Sequence, residues 1–159
     1  ENNPKLEKIT LISVYALLEL NTDSCKNLRE MIFSETDINS LDFSKNKELE
    51  IIGFHEANHL GQLDLSQNKK LKYFSTTHTS YAMIELDLSN NIMLETVRVF
   101  DASNLIVLNL ENHHNTIITS ASFDGLSSLT CIQVDDANYS EANWDIYDDH
   151  IIFSEDCGY

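Results

Sequence analysis

Glycine and proline, the residues that usually punctuate a chain, are scarce in this sequence. Its 159 residues include four glycines and one proline, and no GxGxxG motif, glycine-rich phosphate loop or GxSxG motif occurs. No ten-residue window shows apolar residues recurring with the helical period of about 3.6. These absences argue against nucleotide-binding and serine-hydrolase sites, and they predict a chain with little regular helix.

Long apolar runs and basic residues are scarce as well. No stretch reaches the roughly 18 apolar residues of a membrane span, and no basic region followed by an apolar one opens the chain as a signal peptide would. If the protein is secreted, this is its mature form. Ten Lys and Arg face 26 Asp and Glu, for a formal charge of −16, and the charge is expected to be spread along the chain.

This charge restricts the partners. Phosphates are bound by Lys and Arg, so we expect neither nucleic acid nor an anionic membrane surface. A cationic, neutral or glycan partner fits better, and the alternative is that the charge serves solubility alone.

The three cysteines allow one disulfide. Cys131 and Cys157 flank the C-terminal segment, whereas Cys25 stands alone. A bridge between Cys131 and Cys157 is therefore the natural pairing, and it favours an oxidising compartment. The alternative is three reduced, buried thiols in a cytosolic protein. Cys25 is expected to be an unpaired, partly buried thiol.

A twelve-residue phrase recurs along the chain. It reads INSLDFSKNKEL at 38–49, LGQLDLSQNKKL at 60–71 and MIELDLSNNIML at 83–94, and related phrases start at Tyr15 and Leu105. The starts lie 22 or 23 residues apart, a period typical of solenoid proteins. One coil cannot bury its own leucines, so the coils must stack to form a core.

A second apolar series runs between these phrases. Its members have the form apolar-x-x-apolar-x-apolar and start at Leu6, Leu28, Leu49, Leu71, Leu94 and, after a break, Leu129. Inward residues two apart follow the strand period, so each coil contains two short extended segments, which stacking arranges into parallel sheets.

We therefore predict one domain over residues 1–159. It is expected to be a right-handed, weakly curved solenoid of five or six coils, with parallel strands on both long sides. Repeats of 21–23 residues should occupy 1–128, and a last strand with a C-terminal cap should occupy 129–159. Trp144, the only tryptophan, and the disulfide are expected to form the lid of this cap.

An asparagine follows one strand in each of three central coils. Asn46, Asn68 and Asn91 can hydrogen-bond the backbone groups that a corner leaves unpaired. Asp23 and His113 are predicted at the corresponding places in the outer coils. We interpret these residues as structural.

The pattern LDLSxNxxLxxLxxxxN resembles the leucine-rich repeats of secreted and surface proteins of Bacteroidetes. The ending LTCIQVDDANYSEANW followed by FSEDC is similar to the C-terminal cap of such proteins from flavobacteria. The resemblance covers nearly the whole chain and implies a leucine-rich-repeat fold, export, and adhesion or protein recognition. It also implies that the series Leu28, Leu49, Leu71, Leu94 and Leu129 opens the strands of the ligand-facing sheet. The asparagine usual after each strand is replaced here by Thr36, Ala57, Thr79, Ala102 and Ala137.

The segment His55-Glu56-Ala57-Asn58-His59 spells HExxH, the zinc-protease motif, which works when two histidines share one helical face. Here it follows the apolar positions of a repeat. In an extended segment residues four apart lie roughly 13 Å from each other, too far for one zinc ion. We predict a strand and a corner, and keep a zinc protease only as a third alternative. A weaker metal hypothesis places His78 near Glu56, one coil further along.

The two sets of strands differ in their outward residues. On the LDxS strands these residues repeat and are interpreted as scaffold, with a calcium-binding ladder as an alternative; one column is Glu19, Asp42, Asp64, Asp87 and Asn109, and the next is Asn21, Ser44, Ser66, Ser89 and Glu111. On the second series they vary and include residue types typical of binding hot spots. The predicted binding residues are Tyr73, Arg98, Phe100, Ile51, His55 and Thr77.

The sequence thus favours a non-enzymatic extracellular module without a cofactor, which binds a protein or glycan through its variable strands. The alternative is a passive spacer within a larger surface protein.

Overall fold

The computed structural model describes residues 3–79 and 82–159, and short strands make up most of its regular structure. In chain order they are β1 (Lys8–Val14), β2 (Glu19–Leu20), β3 (Glu30–Thr36), β4 (Ser40–Leu41), β5 (Ile51–His55), β6 (Tyr73–Thr77), β7 (Glu85–Asp87), β8 (Thr96–Phe100), β9 (Val107–Asn109), β10 (Ser120–Asp124), β11 (Cys131–Gln133), β12 (Asp145–Ile146) and β13 (Ile152–Ser154). The described residues add one 3-10 turn, Asn115–Ile117, and one α-helix, α1 (Ala137–Asn143).

The strands form parallel sheets on the two long sides of a solenoid. One side is a seven-stranded sheet in the order β1-β3-β5-β6-β8-β10-β12. The other side carries a four-stranded sheet, β13-β11-β9-β7, and a two-stranded one, β2-β4. The predicted parallel solenoid with little helix is confirmed, and seven strands on one side correct the expectation of five or six coils. Handedness, curvature and the division at residue 128 stay predictions.

The core lies between the two sides. In β6 and β8 the second and fourth residues are buried while the others face outward, as the strand period of two requires. Phe33, Phe54 and Phe74 are fully or almost fully buried in successive coils, and their ring centroids lie 5.3 and 6.4 Å apart. The inward residues of each coil are covered by the coils above and below, so stability is shared between neighbours.

A column of asparagines joins the corners of adjacent coils. Asn68 Nδ2 donates to the backbone carbonyl of Phe43 at 3.1 Å and to that of Asn46 at 2.9 Å. Asn46 and Asn91 bond their own preceding coils in the same way. All three side chains are fully buried, so each amide satisfies two carbonyls that would otherwise lose their hydrogen bonds to water. The structural role predicted for these asparagines is confirmed.

The ends of this asparagine column differ from the prediction. Asn46 bonds the carbonyl of Cys25 as Asn68 bonds that of Asn46, so Cys25, buried and free, occupies the asparagine place in the first coil. Asp23 and His113 are exposed and are not part of the asparagine column. At the other end Asn112 donates to the Asn91 carbonyl at 3.2 Å. A buried donor is needed there, and the repeat spacing placed it one residue too late, at His113.

The prediction placed Leu129 in the wrong sheet. The strand that follows it, β11, pairs with β9 in the four-stranded sheet. The next strand of the seven-stranded sheet is β10, which pairs with β8 and lies in the segment predicted to be a break between Leu94 and Leu129. Consequently the buried corner residue equivalent to Ala102 is Leu126 and not Ala137, which begins α1. Small residues in β10 hid its apolar alternation.

The first coil is also shifted relative to the prediction. Leu20 pairs with Leu41, so the phrase begins at Leu17, and Tyr15 is 58% exposed. The same register places Asn21, not Glu19, beside Asp42. The first repeat is two residues shorter on this side than the spacing from Tyr15 to Ile38 suggested.

The last coil carries the predicted disulfide and buried tryptophan. Cys131 and Cys157 are bonded, with their Cα atoms 5.8 Å apart. The Trp144 ring packs edge-on against Phe153 at 5.6 Å, and its Nε1 donates to the Ile118 carbonyl at 3.1 Å. The α1 helix, capped by the Asp136 side chain, connects these parts and was not predicted.

Replacing Asn68 with Ala should lower the free energy of unfolding by about 2 kcal/mol or more, because two buried carbonyls lose their donor. Chemical denaturation measures the change. The control is Gln67→Ala, since the neighbouring side chain is exposed and should stay within about 0.5 kcal/mol of wild type. Equal effects of the two substitutions would contradict the bridging role.

Candidate binding surface

The six residues predicted to bind a partner all lie on the outward face of the seven-stranded sheet. Ile51 pairs with Tyr73, and His55 pairs with Thr77, between β5 and β6. Between β6 and β8, Thr77 pairs with Phe100, while Arg98 pairs with Ser75. The register therefore places these side chains in three adjacent columns across three strands. Whether they bind a partner stays a prediction.

Their exposure is uneven. Arg98 and His55 are exposed, whereas Tyr73, Phe100, Ile51 and Thr77 are half-buried. Arg98 forms no ion pair with any residue of the described ranges 3–79 and 82–159, and its strand neighbours Ser75 and Ser122 are uncharged. A guanidinium without an internal carboxylate is available to bind an acceptor of another molecule.

A shallow hollow lies beside these columns where Gly53 interrupts the outward side chains. Its volume is about 190 Å³, and Ile32, His55, Tyr73 and Ser75 are among the residues around it. A Cβ at Gly53 would lie 2.9 Å from the Ile32 side chain, so the glycine also makes room for that neighbour. Glycine weakens a strand interior and often marks a close approach.

A column of left-handed residues follows the strands of this sheet. Ser13, Glu35, Glu56, His78 and Asp101 have φ between 52° and 55°, and Gly125 completes the column at 70°. Only Gly125 belongs to the residue type that adopts this conformation freely. The column turns the chain at this corner of successive coils, and it cannot be predicted from residue type because its members share no chemical type.

The HExxH segment lies across this corner. His55 ends β5, Glu56 has φ of 53°, and Ala57 is fully buried. The predicted strand and corner are confirmed, and the helix required by the zinc-protease alternative is not formed. His59 points to a different partner: its Nε2 lies 3.8 Å from Asp37.

Two histidines meet on the same edge of the face. The rings of His55 and His78 are edge-on with centroids 5.8 Å apart. His78 Nε2 lies 3.2 Å from Asp101, whereas Glu56 is 3.4 Å from His55. The register places His78 beside Glu56 in the next coil, as predicted, but the nearest charged partners of these two side chains are Asp101 and His55. Within residues 3–79 and 82–159 no three His, Cys, Asp or Glu side chains converge as a metal site would require.

Replacing Glu56 with Gly should raise the free energy of unfolding by about 0.5–1 kcal/mol, because glycine has no Cβ to penalise a positive φ. The backbone bond from Glu56 N–H to the Thr77 carbonyl is retained. Thermal or chemical denaturation measures the effect. Glu85→Gly is the matched control in a strand and should lose about 0.5–1 kcal/mol. A loss of the same size at Glu56 would show that the corner is unstrained.

The acidic column on the opposite side serves its own turns. Asp42, Asp64 and Asp87 each accept the backbone N–H of the serine two residues later, at 2.7 to 2.9 Å. Asn21 and Asn109 make the same turn in the outer coils. The scaffold interpretation of this column is confirmed, with Asn21 in place of Glu19. A groove of about 640 Å³ runs along it.

These turns affect two carboxyl groups. The bond from the Ser44 N–H lowers the pKa of Asp42, and that from the Ser66 N–H lowers the pKa of Asp64. A lowered folded-state pKa means that the carboxylate stabilises the fold above the unfolded pKa of about 3.9. That contribution is lost as pH falls through the lower, folded value.

The double variant Asp42→Asn with Asp64→Asn should therefore lose less stability than wild type between pH 4 and pH 2, roughly the range set by those pKa values. Its stability at neutral pH should change little, since asparagine makes the same turn at Asn21 and Asn109. Denaturation midpoints across this range give the comparison. Identical pH profiles would contradict the assignment of these carboxylates.

The net charge is not spread along the chain as expected. Residues 1–72 contain nine Lys and Arg against twelve Asp and Glu, whereas residues 73–159 contain one, Arg98, against fourteen. The net charges are thus −3 and −13. Asp and Glu occur along the whole chain, whereas nine of the ten Lys and Arg lie in residues 1–72.

Comparisons with known proteins bear on the fold alone. No family model and no curated protein matches the chain. Among solved structures, the functional domain of InlJ from Listeria monocytogenes, a leucine-rich-repeat protein described as including a cysteine ladder, is 23% identical with a TM-score of 0.56. The match covers 76% of this chain and 24% of that one. The chain has a leucine-rich-repeat type of solenoid fold and spans about a quarter of that structure's length.

No helix among the described residues is long and apolar enough to cross a membrane.

Proposed function

We propose that this chain is a non-catalytic recognition module that binds a protein partner through the outward face of the seven-stranded sheet. The observation that carries the proposal is the cluster of Tyr73, Arg98 and Phe100 on adjacent strands of a face whose residues differ from coil to coil. The opposite side repeats its polar residues for its own turns. Side chains that the scaffold does not require are free to be selected for a partner.

The chemistry of the cluster supports a polypeptide partner. Half-buried aromatic rings beside an exposed arginine are the combination that dominates binding energy in protein interfaces. The hollow at Gly53 adds a concave feature next to Tyr73. Since Arg98 has no ion pair within the part of the chain that the structure describes, it favours a carboxylate on the partner.

We further propose that the module is secreted or displayed on the cell surface. The Cys131–Cys157 bridge favours an oxidising compartment, and the resemblance of the C-terminal segment to caps of flavobacterial surface proteins agrees with export and adhesion.

The test compares affinity capture by the wild-type domain with capture by Arg98→Glu, using extracellular proteins as the source and a glycan array in parallel. Lys45→Glu is the control, since it makes the same charge change at an exposed site of the opposite side. The captured amount of each partner enriched by the wild type should fall roughly tenfold or more with Arg98→Glu and should not change with Lys45→Glu.

A second variant, Tyr73→Ala with Phe100→Ala, should lose the same partners, and its melting temperature must be measured because both rings are half-buried. Tyr147→Ala, at a tyrosine that is 62% exposed, is its control. Equal capture by all variants would refute binding through the outward face of the seven-stranded sheet. Absence of any enriched protein or glycan would support the spacer alternative instead.

A further inference from the structure

We infer a second interaction surface, on the four-stranded sheet, that fits a basic amphipathic segment of a protein partner, in which Lys or Arg stands beside aliphatic or aromatic side chains. We call it the isoleucine surface. It consists of Ile84, Ile106, Val107, Ile152 and Tyr159. It lies on the side opposite the cluster of Tyr73, Arg98 and Phe100 and does not depend on the function proposed for that cluster.

The isoleucine surface extends over the coils of β7, β9 and β13, with the half-buried Cys131 of β11 between Val107 and Ile152. The Ile106 N–H donates to the Ile84 carbonyl at 2.9 Å, so the two residues are neighbours at the same corner. Ile152 pairs with Cys131 of β11, and β11 pairs with β9, which begins at Val107. The exposed fractions of Ile84, Ile106 and Ile152 are 56%, 52% and 59%.

Tyr159 completes the surface. Its hydroxyl donates to the Leu108 carbonyl at 3.0 Å and receives the Leu108 N–H at 3.3 Å. These bonds hold the ring across β9, and burial raises the pKa of the hydroxyl. The side chain is still 49% exposed, so an aromatic ring held in place remains accessible to a partner.

The fold does not require these apolar residues. In the repeated phrase, Asn39 and Gly61 occupy the place of Ile84 in the two preceding coils, and Ser40 and Gln62 occupy the place of Glu85. Those coils form the same solenoid with polar or absent side chains. Isoleucines that the scaffold does not need, gathered on one side, mark an interface.

The charge around the surface determines the chemistry of the partner. Glu85, Asp87, Glu155 and Asp156 are exposed at or beside the strands that carry it. Arg98 is the single Lys or Arg after residue 72, and it lies on the opposite sheet. A purely apolar partner would leave these carboxylates without counter-charges, and an acidic partner would be repelled by them. A partner with Lys and Arg around an apolar anchor complements both the carboxylates and the isoleucines.

The experiment measures binding of a synthetic peptide of alternating Lys and Leu to the whole chain, by calorimetry at physiological ionic strength. An oligolysine peptide and a peptide of alternating Glu and Leu are the comparison probes. The Lys-Leu peptide should bind more tightly than oligolysine by roughly tenfold or more, and the Glu-Leu peptide should not bind. Oligolysine binding equal to that of the Lys-Leu peptide, or no binding of either, would overturn the proposal.

Two pairs of variants separate apolar contact from charge. Ile84→Ser with Ile106→Ser should weaken binding of the Lys-Leu peptide at least about tenfold. The control, Ile12→Ser with Leu18→Ser, removes equally exposed residues of the first coil and should change it less than about twofold. Equal losses in the two pairs would overturn the proposal.

For the charge, Glu85→Gln with Asp87→Asn should weaken binding and reduce its dependence on salt. Asparagine can make the Asp87 turn, as Asn109 does. Glu19→Gln with Asp42→Asn is the matched control in the less acidic half and should leave binding unchanged. An unchanged salt dependence in the first pair would contradict a basic partner.

Discussion

The stacking of coils through the buried asparagines is the interaction on which the rest of this structure depends. At three corners one side-chain amide, that of Asn46, Asn68 or Asn91, donates to two carbonyls of the coil before it. Without that donor the stack would bury backbone carbonyls that have no hydrogen-bond partner. Leaving such a group unsatisfied costs more free energy than a typical hydrogen bond contributes. Burial of the leucines removes apolar surface from water, and the hydrogen bonds of the asparagines determine the register in which the coils stack.

That register explains how one scaffold presents two different surfaces. The coils repeat mostly apolar residues at matching inward positions, so their outward residues can vary except where they form a turn, as Asp42 and Asp64 do. The seven-stranded side therefore carries unrelated side chains around Tyr73. On the other side, the later coils replace Asn39 and Gly61 with isoleucine without altering the stack. The two faces can vary independently because the corner bonds do not involve them.

The architecture could be predicted from the sequence because each coil repeats the same physical problem. The spacing of leucines and asparagines established the coil length and both parallel sides, and the cysteine spacing indicated the disulfide. The six predicted binding residues also lie together on one face of the seven-stranded sheet. Prediction failed where the repeat is weakest: β10 has small residues, and the first coil ends its asparagine column in Cys25.

Other features had no periodic signal to find. The left-handed corner contains Ser, Glu, His, Asp and Gly in successive coils, because backbone geometry and not side-chain chemistry is repeated there. The exposure of Ile84 and Ile106 depends on where the chain enters β7 and β9, which apolar spacing alone does not determine. The concentration of charge after residue 72 is present in the composition and becomes meaningful once the coils are stacked in order.

Native-state hydrogen exchange tests the central role of the asparagine corners most directly. The amides of Leu49, Leu71 and Leu94 donate to the backbone carbonyls of Asn46, Asn68 and Asn91 at 3.0 to 3.1 Å. If the corners hold the stack together, these amides exchange as slowly as those of β5 and β6, through global unfolding. Exchange as fast as that of the edge strand β1, while β5 and β6 remain protected, would contradict the account.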